Sequence, residues 1–196
     1  LLYLVTLICF LAIPYSVILP VLVREFFAAD PRINGLFYSS SGLGALTAGL
    51  YLAAGSLSTG QLLGLARWPM LAAVALVVLS SIPAIALALP TVFALGFSVV
   101  MLLTSCNMRL QAMVEDRFRA RMMSLYAMLF LGVTPLGSLL TGYLVETWGL
   151  TVALRILAGG LLVGIMPFLL LQATTNGAAV EGPTDPRANA GAESVG

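Results

Sequence analysis

Five long stretches of the chain contain no charged residue, and the polar segments between them are short. These stretches are Leu1–Val23, Ile33–Ala66, Trp68–Met108, Met122–Val145 and Ile156–Val180. About 20 apolar residues in a helix cross the roughly 30 Å hydrocarbon core of a bilayer, and each stretch is at least that long. The pattern therefore predicts membrane-spanning helices.

Prolines subdivide the pattern. The third stretch is too long for one helix at 1.5 Å per residue, so Pro90 near its middle predicts a tight turn between two spans. Pro14 predicts a bend within the first span. We predict an all-α membrane protein with six transmembrane helices, at about residues 1–23, 36–56, 70–89, 91–113, 122–145 and 152–172.

Residues 1–172 thus form one predicted transmembrane unit, and residues 173–196 form a tail of different composition. The tail consists mainly of Ala, Gly, Pro, Asn and Thr with scattered charges, which bury too little apolar surface to order a chain. We predict a disordered cytoplasmic tail.

The overall composition excludes several classes of protein. Hydrophobic residues make up 60% of the chain and charged residues 9%, against about a quarter charged in soluble domains. A net charge of +1 predicts no nucleic-acid partner. The chain has no histidine and no GxxxxGK[ST] loop, so we expect no metal, no cofactor and no enzyme activity. Cys9 and Cys106 are interpreted as small buried residues.

Arginine positions predict the orientation in the membrane. One side of the predicted bundle carries Arg67, Arg109, Arg117, Arg119, Arg121 and Arg187, and the other carries Arg24, Arg32 and Arg155. Excess arginine marks the cytoplasmic side, so both ends are expected there. The sequence starts at Leu1, inside an apolar run, and we interpret it as a fragment that lacks its N-terminal part.

Polar side chains within the spans are candidates for a substrate cavity. Thr104, Asn107 and Gln111 are spaced i, i+3 and i+7, which places them on one helical face. An amide in hydrocarbon needs a partner or a wet cavity, so this face either joins helices or lines a cavity. The candidate cavity residues are Tyr15, Ser41, Thr104, Asn107, Gln111, Tyr126 and Thr134.

Two further patterns concern packing and gating. Ser41, Ala45, Gly49 and Ala53 recur every fourth residue, which is either a close-packing stripe or chance in a chain rich in small residues. Asp116 lies three residues before Arg119, close enough for an ion pair. With Arg121, these residues form either a cytoplasmic gate latch or a positive-inside anchor.

The segment Asn107 to Leu144, NMRLQAMVEDRFRARMMSLYAMLFLGVTPLGSLLTGYL, resembles the tenth and eleventh helices of major facilitator superfamily transporters. The branch it looks like contains the enterobactin exporter and macrolide-efflux-type permeases. The matching positions are Asn107, Gln111, Asp116, Arg119, Arg121, Met123, Ser124, Leu125, Tyr126, Pro135, Leu136, Gly137 and Ser138. Pro135 and Gly137 are also predicted packing positions. IPYSVILPVLVREFF and GLFYSSSGLGALTAGL are similar to the seventh and eighth helices of this superfamily.

The resemblance implies the C-terminal six-helix half of a twelve-helix secondary transporter, whose two halves alternate around a central site. It implies export of a small amphipathic molecule, such as a siderophore or drug, by an antiporter of the bacterial inner membrane. The expected partners are the substrate, the lipid bilayer and the missing N-terminal half. The alternative is a stand-alone six-helix protein that acts as a dimeric half-carrier or a channel.

Overall fold

The computed structural model describes the backbone of residues 1–27, 31–54, 63–81 and 84–180, and the side chains of these residues except 26–27, 31, 63–64 and 171–180. The described residues form helices and no strands. The helices are α1 (Leu2–Leu11), α2 (Tyr15–Phe27), α3 (Pro31–Ala53), α4 (Leu63–Leu79), α5 (Ile85–Met113), α6 (Asp116–Trp148) and α7 (Leu150–Val180).

Four helical segments of the described chain are long and apolar enough to cross a bilayer. They are Leu2–Glu25, Ile85–Met113, Asp116–Trp148 and Leu150–Leu170. Leu65–Leu79 is a shorter apolar helix. Helix α3 has 23 residues, but three consecutive serines and several glycines lower its hydropathy. Length and hydropathy thus support four of the six predicted spans.

The turn predicted at Pro90 is wrong. Helix α4 ends at Leu79, and α5 begins at Ile85 with Pro90 inside it. The chain leaves α4 at Ser80, whose hydroxyl donates to the carbonyl of Val77 at 2.7 Å. Pro90 lies in the second turn of α5, where its missing N–H removes one helical hydrogen bond and does not end the helix.

Pro14 interrupts the first predicted span rather than only bending it. Residues 12–14 form a turn between α1 and α2. Pro14 has no N–H to donate to the carbonyl of Phe10, so the hydrogen-bond pattern shifts. The N–H of Ile13 instead bonds the carbonyl of Ile8 at 2.9 Å, and that of Tyr15 bonds Ala12 at 3.1 Å. Together α1 and α2 still form one apolar run, Leu2–Glu25.

Helices α3 and α5 approach each other closely through glycines. A Cβ atom at Gly44 would overlap the backbone carbonyl of Phe93, and one at Gly96 would overlap the carbonyl of Ser41. Such close approach is how spanning helices associate when lipid removes the hydrophobic gain between them.

The predicted stripe of small residues does not coincide with this contact. Ser41 lies in it, but Gly49 and Ala53 are exposed, and the buried face of α3 includes Phe37, Gly44 and Ala48. A strict four-residue repeat rotates by about 40° per step around a helix with 3.6 residues per turn. The stripe therefore winds away from α5, and its second half faces outward from the described bundle.

Helix α1 forms the centre of the other side of the bundle. Leu4, Val5, Ile8 and Cys9 are fully buried there. A Cβ atom at Gly137 of α6 would overlap the carbonyl of Phe10, so α1 and α6 also meet backbone to backbone. Cys9 and Cys106 are both buried free thiols.

Helix α6 is mostly uncovered. Only Gly137, Thr141 and Leu144 are buried among its 33 residues. Large apolar side chains are exposed along it, including Met128 at 72% and Leu139 at 71%. This surface needs lipid or another protein segment to cover it.

Gly44→Leu should destabilise the bundle by about 1–3 kcal/mol, because the new side chain overlaps the backbone of α5. The measurement is thermal unfolding of the detergent-solubilised protein followed by circular dichroism. Gly49→Leu is the matched control, because nothing lies within 4 Å of its Cβ position. Equal unfolding temperatures for the two variants would contradict the packing described here.

Candidate functional site

The first group of polar side chains joins α2, α3 and α5. The hydroxyl of Tyr15 hydrogen-bonds with the hydroxyl of Ser41, and Tyr38 donates to the carbonyl of Ser16 at 2.9 Å. Ser40 donates to the carbonyl of Leu89 in α5 at 2.7 Å. We call Tyr15, Ser16, Tyr38, Ser40 and Ser41 the hydroxyl cluster.

The position of the hydroxyl cluster follows from the interruption at residues 12–14. Tyr15 is the first residue of α2, so the break directs a buried phenol from the start of one helix to the middle of another. Ser41 also presents its carbonyl to Gly96 of α5. The cluster therefore ties α2 to the tightly packed pair α3 and α5.

The second group lies on α5 and α6. The amide nitrogen of Gln111 donates to the amide oxygen of Asn107, and Tyr126 of α6 donates to the carbonyl of Leu103 at 3.2 Å. Asn107 and Tyr126 are half-buried, while Gln111 is exposed. We call Asn107, Gln111 and Tyr126 the amide cluster. Its amides keep unused donor and acceptor capacity, because a side-chain amide offers two donors and two lone pairs.

The remaining two predicted cavity residues have different surroundings. Thr104 is half-buried on α5, three residues before Asn107. Thr134 of α6 donates to the carbonyl of Phe130 at 2.6 Å, within its own helix. Threonine commonly bonds its helix backbone in this way, so the hydroxyl proton of Thr134 is already used in a hydrogen bond within its own helix.

The predicted cavity residues thus fall into two groups rather than one. Tyr15 and Ser41 belong to the hydroxyl cluster, and Asn107, Gln111 and Tyr126 belong to the amide cluster. Their helices are neighbours in the bundle, because α5 packs against α3 and Tyr126 connects α6 to α5.

Two buried hydroxyls were not predicted. Ser105 and Thr141 are almost fully buried, and their hydroxyl oxygens have no hydrogen-bond partner among the described residues. Leaving such a group unpaired costs about 1–3 kcal/mol. Ser105 follows Thr104 directly and therefore points at least about 100° away from every residue of the predicted polar face. A single serine in an apolar run does not indicate that its hydroxyl is buried without a partner, so the sequence did not predict this position.

The segment that leads from α5 into the first turns of α6 is charged and exposed. A nitrogen of the Arg119 guanidinium lies 2.8 Å from a carboxylate oxygen of Asp116, and Nε of Arg117 lies 3.5 Å from Glu115. Asp116 is the first residue of α6, where a negative charge favours the helix dipole. Arg121 follows in the same helix and is exposed. Exposed ion pairs typically contribute about 0–1 kcal/mol.

A model of the transmembrane secretion effector family, of the major facilitator superfamily type, matches residues 3–188. The chain belongs to this family. No curated protein and no solved structure matches it.

Membership in the transmembrane secretion effector family makes this chain an integral membrane protein of a transporter family. In this member of the secretion effector family, the residues of the hydroxyl cluster lie on α2 and α3. Those of the amide cluster lie on α5 and α6. The described parts of α4 and α7 carry polar side chains only near their ends, among them Arg67, Thr151 and Arg155.

Tyr15→Phe and Ser41→Ala should each destabilise the protein by about 1 kcal/mol, because each removes one partner of a buried hydrogen bond. A double-mutant cycle of chemical unfolding measures their coupling. We expect the double variant to lose less stability than the sum of the two single variants. Strict additivity would show that the two hydroxyls do not interact.

Proposed function

We propose that the chain is the C-terminal six-span half of a secondary transporter that exports a small amphipathic molecule by alternating access. The observation that carries the proposal is the division of the helices into two kinds. Polar clusters occupy α2, α3, α5 and α6, whereas the described parts of α4 and α7 carry no polar side chain away from their ends. Polar groups at membrane depth normally face a protein interior or a wet cavity.

The substrate class follows from the side chains of the two clusters. Phenols, hydroxyls and amides provide neutral donors and acceptors beside apolar surface. The described helices have no carboxylate in their middle turns, so these turns offer no strong counter-charge for a cationic group. A bulky neutral or weakly charged ligand suits this lining. A siderophore or drug, as handled by the enterobactin-exporter and macrolide-efflux branch, fits this description.

The exposed apolar surfaces of α3 and α6 support a second half of the transporter as partner. Exposed leucines line α3 at Leu43, Leu46 and Leu50, and α6 is exposed over most of its length. Six further helices of the same protein would cover both surfaces and complete the cavity. A second copy of this chain, as a dimeric half-carrier or channel, is the competing arrangement.

The energy source is expected to be an ion gradient. An ionisable group at depth is needed to carry a coupled proton. Because the middle turns of the described helices hold none, we place the coupling site in the partner half. Antiport across the bacterial inner membrane, with both ends of this chain cytoplasmic, is the corresponding arrangement.

The amide cluster supplies the first test. Asn107→Ala and Gln111→Ala should each lower efflux by the full-length transporter about two- to tenfold, the effect of losing one ligand hydrogen bond. Efflux of a macrolide from cells, at matched membrane abundance, is the measurement. Ser81→Ala removes an exposed hydroxyl from the end of α4 and should leave efflux unchanged. Wild-type efflux in both amide variants would refute a substrate-binding role.

The charged segment supplies a second test. The exposure of the Asp116–Arg119 pair favours an anchor at the membrane surface over a gate latch. Asp116→Ala and Arg119→Ala should therefore keep wild-type efflux at equal abundance. A loss of efflux in both variants, restored by the charge-swapped double variant Asp116→Arg and Arg119→Asp, would establish the latch instead.

A further inference from the structure

An apolar groove of about 310 Å³ runs between α4 and α5 on the outside of the bundle. Its walls include Leu71, Val74 and Val78 of α4 and Leu87, Thr91 and Ala94 of α5. The hydroxyl of Thr91 donates to the carbonyl of Leu87 at 2.8 Å and is therefore engaged within its own helix. Such a surface suits a hydrocarbon chain.

At one end of the groove, an arginine side chain makes a cation–π contact with a tryptophan ring. Arg67 lies one helical turn before Leu71, and its guanidinium carbon is 4.4 Å from the centroid of the Trp68 ring. The Trp68 ring packs edge-on against Phe97 of α5, with 5.6 Å between centroids. Phe97 follows Ala94 by three residues, so the aromatic pair closes the groove beyond Ala94.

The charge of Arg67 is not neutralised by the described part of the chain. The ion pairs found there involve Arg117 and Arg119. The side chain of Arg67 is exposed, and its contact with Trp68 directs it towards the α5 side of α4. A second apolar groove of about 270 Å³, between α4 and α7, is lined by apolar side chains such as Met70 and Val163. The first groove therefore combines hydrocarbon surface with a positive charge at its end.

We propose that this groove binds one phospholipid with an anionic headgroup. An acyl chain lies between α4 and α5, and the headgroup phosphate bonds the guanidinium of Arg67, which offers a planar set of donors for phosphate oxygens. Arg67 lies in the second turn of α4, near the helix end, where long arginine side chains reach towards the headgroups. Because α4 and α5 are antiparallel neighbours, this end of α4 lies towards Met113, the side expected to be cytoplasmic. Anionic lipids give that leaflet its negative potential.

The test compares lipid retention by arginine variants of the purified protein. The protein is reconstituted in equimolar dioleoylphosphatidylglycerol and dioleoylphosphatidylcholine and then released into mild detergent. Native mass spectrometry gives the ratio of the two retained lipids. One arginine near the surface changes anionic-lipid binding about fivefold, so Arg67→Gln should lower the ratio by about that factor and Arg67→Lys by less. Arg24→Gln, which removes an exposed arginine on the side of the bundle expected to be opposite, should leave the ratio near wild type. A wild-type ratio in Arg67→Gln, or an equal fall in Arg24→Gln, would overturn the proposal.

A second variant tests the groove itself. Ala94→Phe fills the groove and should reduce the number of retained lipids of both kinds, while helix content by circular dichroism stays unchanged. Leu139→Phe, at an exposed position of α6, is the matched control. Equal lipid numbers in the two variants would overturn the proposal. Lipid retention is measured without transport, so its outcome is independent of the proposed export activity.

Discussion

Backbone-to-backbone contact at glycine is the interaction on which this bundle depends. In a bilayer, lipid tails are as apolar as leucine, so helices gain little from burying apolar side chains against each other. Gly44 and Gly96 bring α3 and α5 together, and Gly137 brings α6 against the carbonyl of Phe10. Dispersion between closely spaced backbones then replaces the hydrophobic effect as the main attraction. Two helix pairs are fixed in this way, and hydrogen bonds such as Tyr15–Ser41 and Tyr126–Leu103 connect helices beyond them.

The sequence predicted the helical membrane class, because runs without charge have few other folds available in lipid. It failed at Pro90, where the general rule that proline ends a helix does not apply to a proline in the second turn. The stripe of small residues predicted on α3 does not coincide with the α3–α5 contact, since a four-residue repeat drifts around the helix. Which face of a helix is buried depends on its packed neighbours, which a sequence pattern alone does not specify.

In the candidate site, residue spacing alone predicted the contact between side chains of the same helix. Asn107 and Gln111 are four residues apart, so their contact follows from helix geometry. The Tyr15–Ser41 contact joins positions 26 residues apart on different helices, and no local pattern encodes that pairing. The unpaired hydroxyls of Ser105 and Thr141 were missed for the same reason, because burial depends on neighbours from other helices. The two polar clusters and the two apolar grooves nevertheless occupy different parts of the described bundle.

That division is most directly tested by water accessibility of introduced cysteines. The buried native thiols are first replaced by serine at Cys9 and Cys106. Single cysteines at Asn107, Gln111 and, as the lipid-facing reference, Val163 are then treated with a membrane-impermeant maleimide in inside-out vesicles of the full-length transporter. The account predicts labelling at Asn107 and Gln111 and none at Val163, although Val163 is 72% exposed in the isolated chain. Labelling at Val163 together with protection of both amide positions would contradict the account.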